Sequence, residues 1–181
     1  MKRKLYNALI EWKNDPDRKP LVLEGARQVG KTWLLKEFGK NEFGNLVYVN
    51  CHDDERMQNL FQQDLHVERI MQALQAFTQQ PIIAGKTLIF IDEIQEAYRG
   101  LDSLKYFCEN ARDQHIVVAG SLLGVTHRPG ESYPVGKVNF LYLYPMTFEE
   151  FLWAKGEEKL SEMIANCDWE LMGILDTKIQ E

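Results

Sequence analysis

The sequence predicts an α/β fold, a parallel sheet with helices packed on both of its faces. Three observations carry this expectation. Short apolar runs alternate along the chain with stretches of helical periodicity, the pattern of successive strand–helix units. The run Leu88-Ile89-Phe90-Ile91 contains no polar residue, as expected of a strand covered on both faces. The segment Gly25 to Thr32 places a glycine-containing turn directly between a strand and a helix.

Each element follows in order. Leu5, Leu9, Ile10 and Trp12 space an amphipathic opening helix, which Asn14-Asp15-Pro16-Asp17 stops. Pro20-Leu21-Val22-Leu23-Glu24 reads as a buried first strand ending at Gly25. A helix follows from about Lys31 to Phe38, with Leu34, Leu35 and Phe38 on one side, and Leu46 to Val49 is a second strand. Val67, Ile70, Met71, Leu74 and Phe77 recur at helical spacing and give a helix with one buried stripe. Leu88 to Ile91 is the third strand. Leu101, Leu104 and Cys108 fit a helix, Ile116 to Ala119 a fourth strand and Val138 to Tyr144 a fifth. Thr147 and Glu150 have capping-box spacing, the threonine accepting from the backbone and the glutamate reaching back, so a helix should begin there. No repeat or low-complexity linker divides the sequence, which reads as one continuous domain.

Composition narrows the class. Of 181 residues, 45% are hydrophobic and 27% charged, which excludes disorder over the whole length and allows one sizeable core. The longest apolar runs fall far short of the roughly 20 residues that span a bilayer, so no membrane association is expected. Met1-Lys2-Arg3-Lys4 runs straight into Leu5-Tyr6-Asn7-Ala8, unlike an export leader. Three separated cysteines, Cys51, Cys108 and Cys167, suit a reducing compartment, so the expected location is cytoplasmic. The net charge of −6 excludes a generally basic nucleic-acid binder. Nine acidic and three basic residues between 149 and 181 supply all of that charge, and the first 148 residues hold 18 of each sign. A local phosphate site is therefore compatible with the acidic total.

Gly25-Ala26-Arg27-Gln28-Val29-Gly30-Lys31-Thr32 fits the phosphate-loop pattern, two glycines separated by four residues and followed by lysine and a hydroxyl residue. The glycines let the backbone turn its N–H groups inward around a phosphate, and the helix that follows adds its N-terminal dipole. Lys31 is expected to reach the β- and γ-phosphates of ATP and the Thr32 hydroxyl to bind Mg2+. The expected nucleotide-contacting set runs on to Trp33, which offers an intrinsic fluorescence probe.

The third strand ends in Ile91-Asp92-Glu93. In a phosphate-loop fold Asp92 holds magnesium through water, and Glu93 is placed to deprotonate a water attacking the γ-phosphate. The adjacent acid pair favours hydrolysis over transfer to a second substrate. Ser121, just beyond the fourth strand, reads either as a group that senses the γ-phosphate or holds the attacking water, or as a plain turn residue. No Asn-Lys-x-Asp motif marks a GTPase, and no Leu-Ser-Gly-Gly-Gln marks a transporter cassette.

Four segments in order carry a resemblance: Leu23 to Thr32, Phe90-Ile91-Asp92-Glu93-Ile94-Gln95, Val118-Ala119-Gly120-Ser121, and Leu143-Tyr144-Pro145-Met146-Thr147-Phe148-Glu149-Glu150-Phe151. Together they resemble the predicted AAA+ superfamily ATPases of bacteria and archaea that carry a C-terminal domain of unknown function. The resemblance spans about residues 1–155. It implies a P-loop NTPase with strand order 5-1-4-3-2, Ser121 in the sensor 1 position, a core over 1–155 and the start of a truncated helical lid over 156–181. Where that family often has Gly-Arg before the fifth strand, Gly136-Lys137 keeps the charge but loses the bidentate fork. Family members continue into the rest of the lid and a further domain, which the resemblance therefore implies as a missing partner. No residue can be assigned as the lid arginine or as an arginine finger. Arg128 is the nearest finger candidate by position, although a loop arginine of this kind is ordinarily solvated.

The expected activity is magnesium-dependent ATP hydrolysis driving a conformational switch. Two alternatives stand beside it: a nucleotide-gated interaction module with negligible turnover, and a DNA-remodelling ATPase by superfamily analogy alone. Expected partners are ATP and ADP, the missing C-terminal domain and a second copy through self-association, with nucleic acid left open. Cys51-His52-Asp53-Asp54 has metal-ligand residue types but reads as a strand-to-loop junction near the cleft, because adjacent residues of an extended segment point opposite ways. Trp12, Trp33, Trp153 and Trp169 read as packing groups, His66, His115 and His127 carry no assignment, and Lys2, Arg3 and Lys4 read as a solvated terminus.

Overall fold

The computed structural model describes residues 2–121 and 134–166. Contacts group the chain into two units, Leu5–Tyr144 and a smaller one formed by Met1–Lys4 with Pro145–Glu181.

In the larger unit, helix α1 (Leu5–Asn14) leads to strand β1 (Leu21–Glu24), helix α2 (Lys31–Glu42) and strand β2 (Asn45–Asn50). A one-turn helix α3 (Glu55–Gln58), helix α4 (Val67–Thr78) and strand β3 (Thr87–Asp92) follow, then helix α5 (Gly100–Asn110) and strands β4 (His115–Gly120) and β5 (Asn139–Tyr142). The five strands form one sheet in the order β2-β3-β4-β1-β5, every pair parallel. This is the 5-1-4-3-2 order expected from the family resemblance, counted from the opposite edge.

Residues of β3 and β4 are buried throughout, and alternate side chains feed two separate cores, as the period of two requires. Ile89, Ile91, Ile116 and Val118 pack with α4 and α5 on one face. Leu88, Phe90, Val117 and Ala119 pack with α1 and α2 on the other, where Phe38 is fully buried. Unbroken hydrophobicity in these strands therefore reports two covered faces.

Several elements depart from the sequence reading, among them helix α2, which runs past Phe38 to Glu42. Strand β5 is Asn139–Tyr142 rather than 138–144, because it pairs with the four residues of β1 and ends where β1 ends. Helix α3, which the sequence reading lacks, starts at Asp54, whose carboxylate accepts from the Arg56 N–H at 2.8 Å.

The smaller unit holds helices α6 (Phe148–Lys155) and α7 (Glu158–Ala165). The capping box at the start of α6 forms as expected, with Glu150 N donating to Thr147 Oγ1 at 3.2 Å and Thr147 N donating to Glu150 Oε2 at 2.9 Å. Gly156 at φ 79° stops the helix in the left-handed conformation that glycine tolerates. Glu150 also accepts from Arg3 Nε at 3.2 Å and from the Lys4 N–H at 2.8 Å. Arg3 is thus buried and ion-paired, a correction to the solvated terminus that the sequence suggested. A buried charge requires such a partner.

Candidate active site

The site begins where β1 ends. Gly25, at φ 153°, lies so close to the Leu143 carbonyl oxygen that a Cβ would collide with it, so no side chain fits there. The turn that follows holds Gln28 at φ 65° and Gly30 at φ 95°. A non-glycine residue in this left-handed region costs on the order of 1–3 kcal/mol, strain of the kind that concentrates at functional sites. Gly30 caps α2 without any side-chain hydrogen bond, leaving the first amides of the helix available to an anion.

Lys31 is 6% exposed, and its ammonium donates to the carbonyls of Gly25 at 2.7 Å and Ala26 at 2.8 Å. Burial lowers its pKa, while the charges of Glu93 and Asp92 oppose that shift. One residue on, Thr32 Oγ1 donates to Asp92 Oδ2 at 2.7 Å. Asp92 is 2% exposed and aligned in the sheet with Asn50 on one side and Ala119 on the other. Burial raises its pKa against the lowering effect of the Thr32 bond. The Tyr48 hydroxyl lies 3.5 Å from the same carboxylate oxygen, and burial together with the Asp92 charge pushes the phenol up to about 12.

Glu93 is itself in the left-handed region, at φ 50° and ψ 46°. Its carboxylate accepts from Ser121 Oγ at 3.1 Å, more distantly from Ser121 N at 3.4 Å, and from Gln95 Nε2. Burial pushes its pKa up, but the hydrogen bonds from Gln95 and Ser121 and the Lys31 charge outweigh burial and hold it below the usual carboxylate value.

Arg27, Gln28, Gly30, Lys31, Thr32, Trp33, Glu93 and Ser121 line one open cleft of about 600 Å³, with Asn50, His52, Gln95 and Glu96 completing its wall. The remaining residues of the expected set stand behind it. Gly25 and Ala26 turn their carbonyls to Lys31, Val29 packs on the core beneath, and Asp92 is buried behind Thr32. Trp33 is 39% exposed in the cleft, whereas Trp12 is packed away. Cys51 is buried and burial pushes its thiol up to about 12, while the neighbouring His52 faces the cleft. Arg128, His127, Cys167 and Trp169 lie outside the described residues. Asn50, Tyr48 and Gln95 are site residues that the sequence reading gave no role; only Gln95 carried a signal, two positions past the acid pair.

This arrangement, a strained glycine-containing loop after β1 and two acids after β3 with β4 between them, is the one expected of a phosphate-loop nucleotide site. A family model described as an AAA domain matches residues 17–152. The chain belongs to the AAA domain family. Membership points to nucleotide binding, and the expected AAA+ superfamily resemblance is borne out. The structure of the AAA domain is similar to that of the Aeropyrum pernix Orc1 protein in complex with DNA, with a TM-score of 0.51 and 18% identity. The match covers 86% of this chain and 48% of that one, so the chain spans about half the length of that protein. No curated protein matches the chain. Among the described residues of the AAA domain, no helix is long and apolar enough to cross a membrane.

Proposed function

We propose that this AAA domain binds ATP across Gly25–Thr32 and hydrolyses it, with Glu93 as the base that activates water. The observation that carries the reading is the convergence of Lys31, the Thr32–Asp92 pair and the Glu93–Ser121 pair at the carboxyl ends of β1, β3 and β4. Amides of the loop and of the first turn of α2 cradle the phosphates, and Lys31 exchanges two backbone carbonyls for phosphate oxygens. The Thr32 hydroxyl and Asp92 carboxylate are hard oxygen donors 2.7 Å apart, a set that fits Mg2+. Bound there, the ion supplies neutralisation of phosphate charge. Glu93 accepts the proton of the attacking water, and Ser121, in the sensor 1 position by resemblance, keeps its carboxylate against β4.

Phosphate release by wild type and Glu93→Gln tests the assignment. The substitution is expected to lower the rate by about 100- to 10,000-fold, the range for a lost general base. Equal rates well above background eliminate Glu93 as the base.

A second reading, a module that binds nucleotide with negligible turnover, is favoured by one observation: Lys31 and Glu93 are each already engaged by groups of the chain itself. Tight ATP binding without phosphate release supports it. In either case residues 1–155 form the core and 156–181 begin a lid, with a further C-terminal domain and a second copy as proposed partners. DNA belongs to the Orc1 structure; for this chain a DNA-remodelling role predicts turnover stimulated by duplex DNA.

A further inference from the structure

Gln95 has no part in the scheme above, yet it is the closest polar neighbour of Glu93. It sits on a single 3-10 turn, Ile94–Glu96, that begins directly after Glu93 and whose first residue, Ile94, is fully buried in the core. The turn therefore fixes the backbone from which Gln95 projects. A carboxylate only accepts hydrogen bonds, so the amide nitrogen of Gln95 must be the atom facing Glu93. That fixes the opposite atom too: Gln95 Oε1 is buried and has no hydrogen-bond partner among the described residues. A buried acceptor left unpaired is costly, a cost that the charge-assisted bond to Glu93 offsets. What the orientation does provide is a second, opposed anchor for Glu93. Ser121 holds the carboxylate from β4, and Gln95 holds it from its own strand's extension. A side chain on a left-handed residue is here restrained from two elements at once.

We propose that Gln95 is a positioning residue for hydrolysis: its amide, together with Ser121, fixes the Glu93 carboxylate where it meets the attacking water. This rests on Glu93 being the base. Gln95 stands in the cleft wall with its amide turned to Glu93 and on this proposal acts through that carboxylate rather than on the nucleotide, so its loss should change turnover and leave ATP affinity alone.

The test compares Gln95→Met, which keeps the length and removes the donor, with Gln95→Glu, which keeps the shape and replaces the donor with an acceptor. Crystal structures of both are compared with wild type, and kcat and KM for ATP are measured, with Glu93→Gln as the reference. The Glu93 carboxylate is expected to leave Ser121 in both variants, and kcat to fall by about 10- to 100-fold, the scale of a displaced catalytic group, with KM unchanged. Unmoved Glu93 in both variants overturns the proposal, whether or not the enzyme turns over. Unchanged kcat with Glu93 displaced overturns it also, and so does a fall in kcat matched by an equal loss of ATP affinity, the mark of a merely structural residue. If wild type itself turns over no faster than Glu93→Gln, the base assignment has failed, and the position of Glu93 in the variants still decides whether Gln95 fixes it.

Discussion

Strand β4 runs between two places where the chain buries ionisable groups. Just past its carboxyl end, Ser121 reaches Glu93, beside buried Asp92 and Lys31. At its amino end His115, 6% exposed, is boxed by Trp12 and Phe43, with ring centroids at 5.8 and 5.0 Å. The partners differ in kind. Lys31, Asp92 and Glu93 are held by carbonyls, hydroxyls and an amide, all of which can be exchanged for phosphate, metal or water without exposing apolar surface. Among the described residues His115 has one hydrogen-bond contact, Nε2 to the Lys13 carbonyl at 3.3 Å, and its Nδ1 has none. Because a carbonyl only accepts, the proton is on Nε2. On the proposed function, burial at the cleft is convertible into binding, whereas burial at the other end contributes only to stability.

The largest expected effect that probes this contrast comes from Phe38→Ala. Phe38 is fully buried among Tyr6, Trp12 and Phe43 and touches no cleft residue's hydrogen-bond network. Urea unfolding should show a loss of about 3–5 kcal/mol, the usual cost of truncating a buried phenylalanine. The folded variant should keep wild-type affinity for ATP, and a large loss of affinity would break the separation between the two ends.

A smaller effect follows from His115. Burial, with the charges of Arg18 and Lys13, pushes its pKa from 6.5 down to about 4. The unfolded chain therefore binds the proton first as pH falls, so the neutral histidine's contribution is complete above about 6.5 and is lost progressively towards 4. From pH 7 to about pH 4.5 this group should cost on the order of 2 kcal/mol of stability. His115→Asn should be less stable at pH 7 but lose less on acidification, as urea unfolding at both pH values will read. An equal loss in variant and wild type would remove His115 from the account.

The smallest effect lies in the other unit. Thr147→Ala removes the side-chain half of the capping box and should cost about 1 kcal/mol in thermal or urea unfolding, with ATP binding unaffected. A change in ATP affinity would mean that α6 reports to the cleft.

Local patterns in the sequence were enough for the strands, for Gly25–Thr32, for Asp92-Glu93 and for the Thr147–Glu150 box, because each depends on residues a few positions apart. Sheet order came through the family resemblance, since strand pairing is set by contacts across the chain. Arg3 illustrates what local reading misses: it lies in a basic run that looks solvated, and its partner Glu150 is 147 residues away. Gln95 was in view as part of the motif, but its role depends on the turn that aims its amide and on Ser121 holding the same carboxylate from another strand. Tyr48 and Asn50 belong to β2 and reach the site only because β2 pairs with β3 in register with Asp92.

The central claim is that Gly25–Thr32 and Lys31 hold a nucleotide, and ATP binding by wild type and Lys31→Ala, with and without magnesium, tests it most directly. Trp33, half-exposed in the cleft two residues past Lys31, provides the fluorescence signal. Wild type should show a saturable, magnesium-enhanced change, and Lys31→Ala should bind at least about 100-fold more weakly, the scale of losing one preorganised charge contact to phosphate. Equal binding by the two proteins would contradict the account.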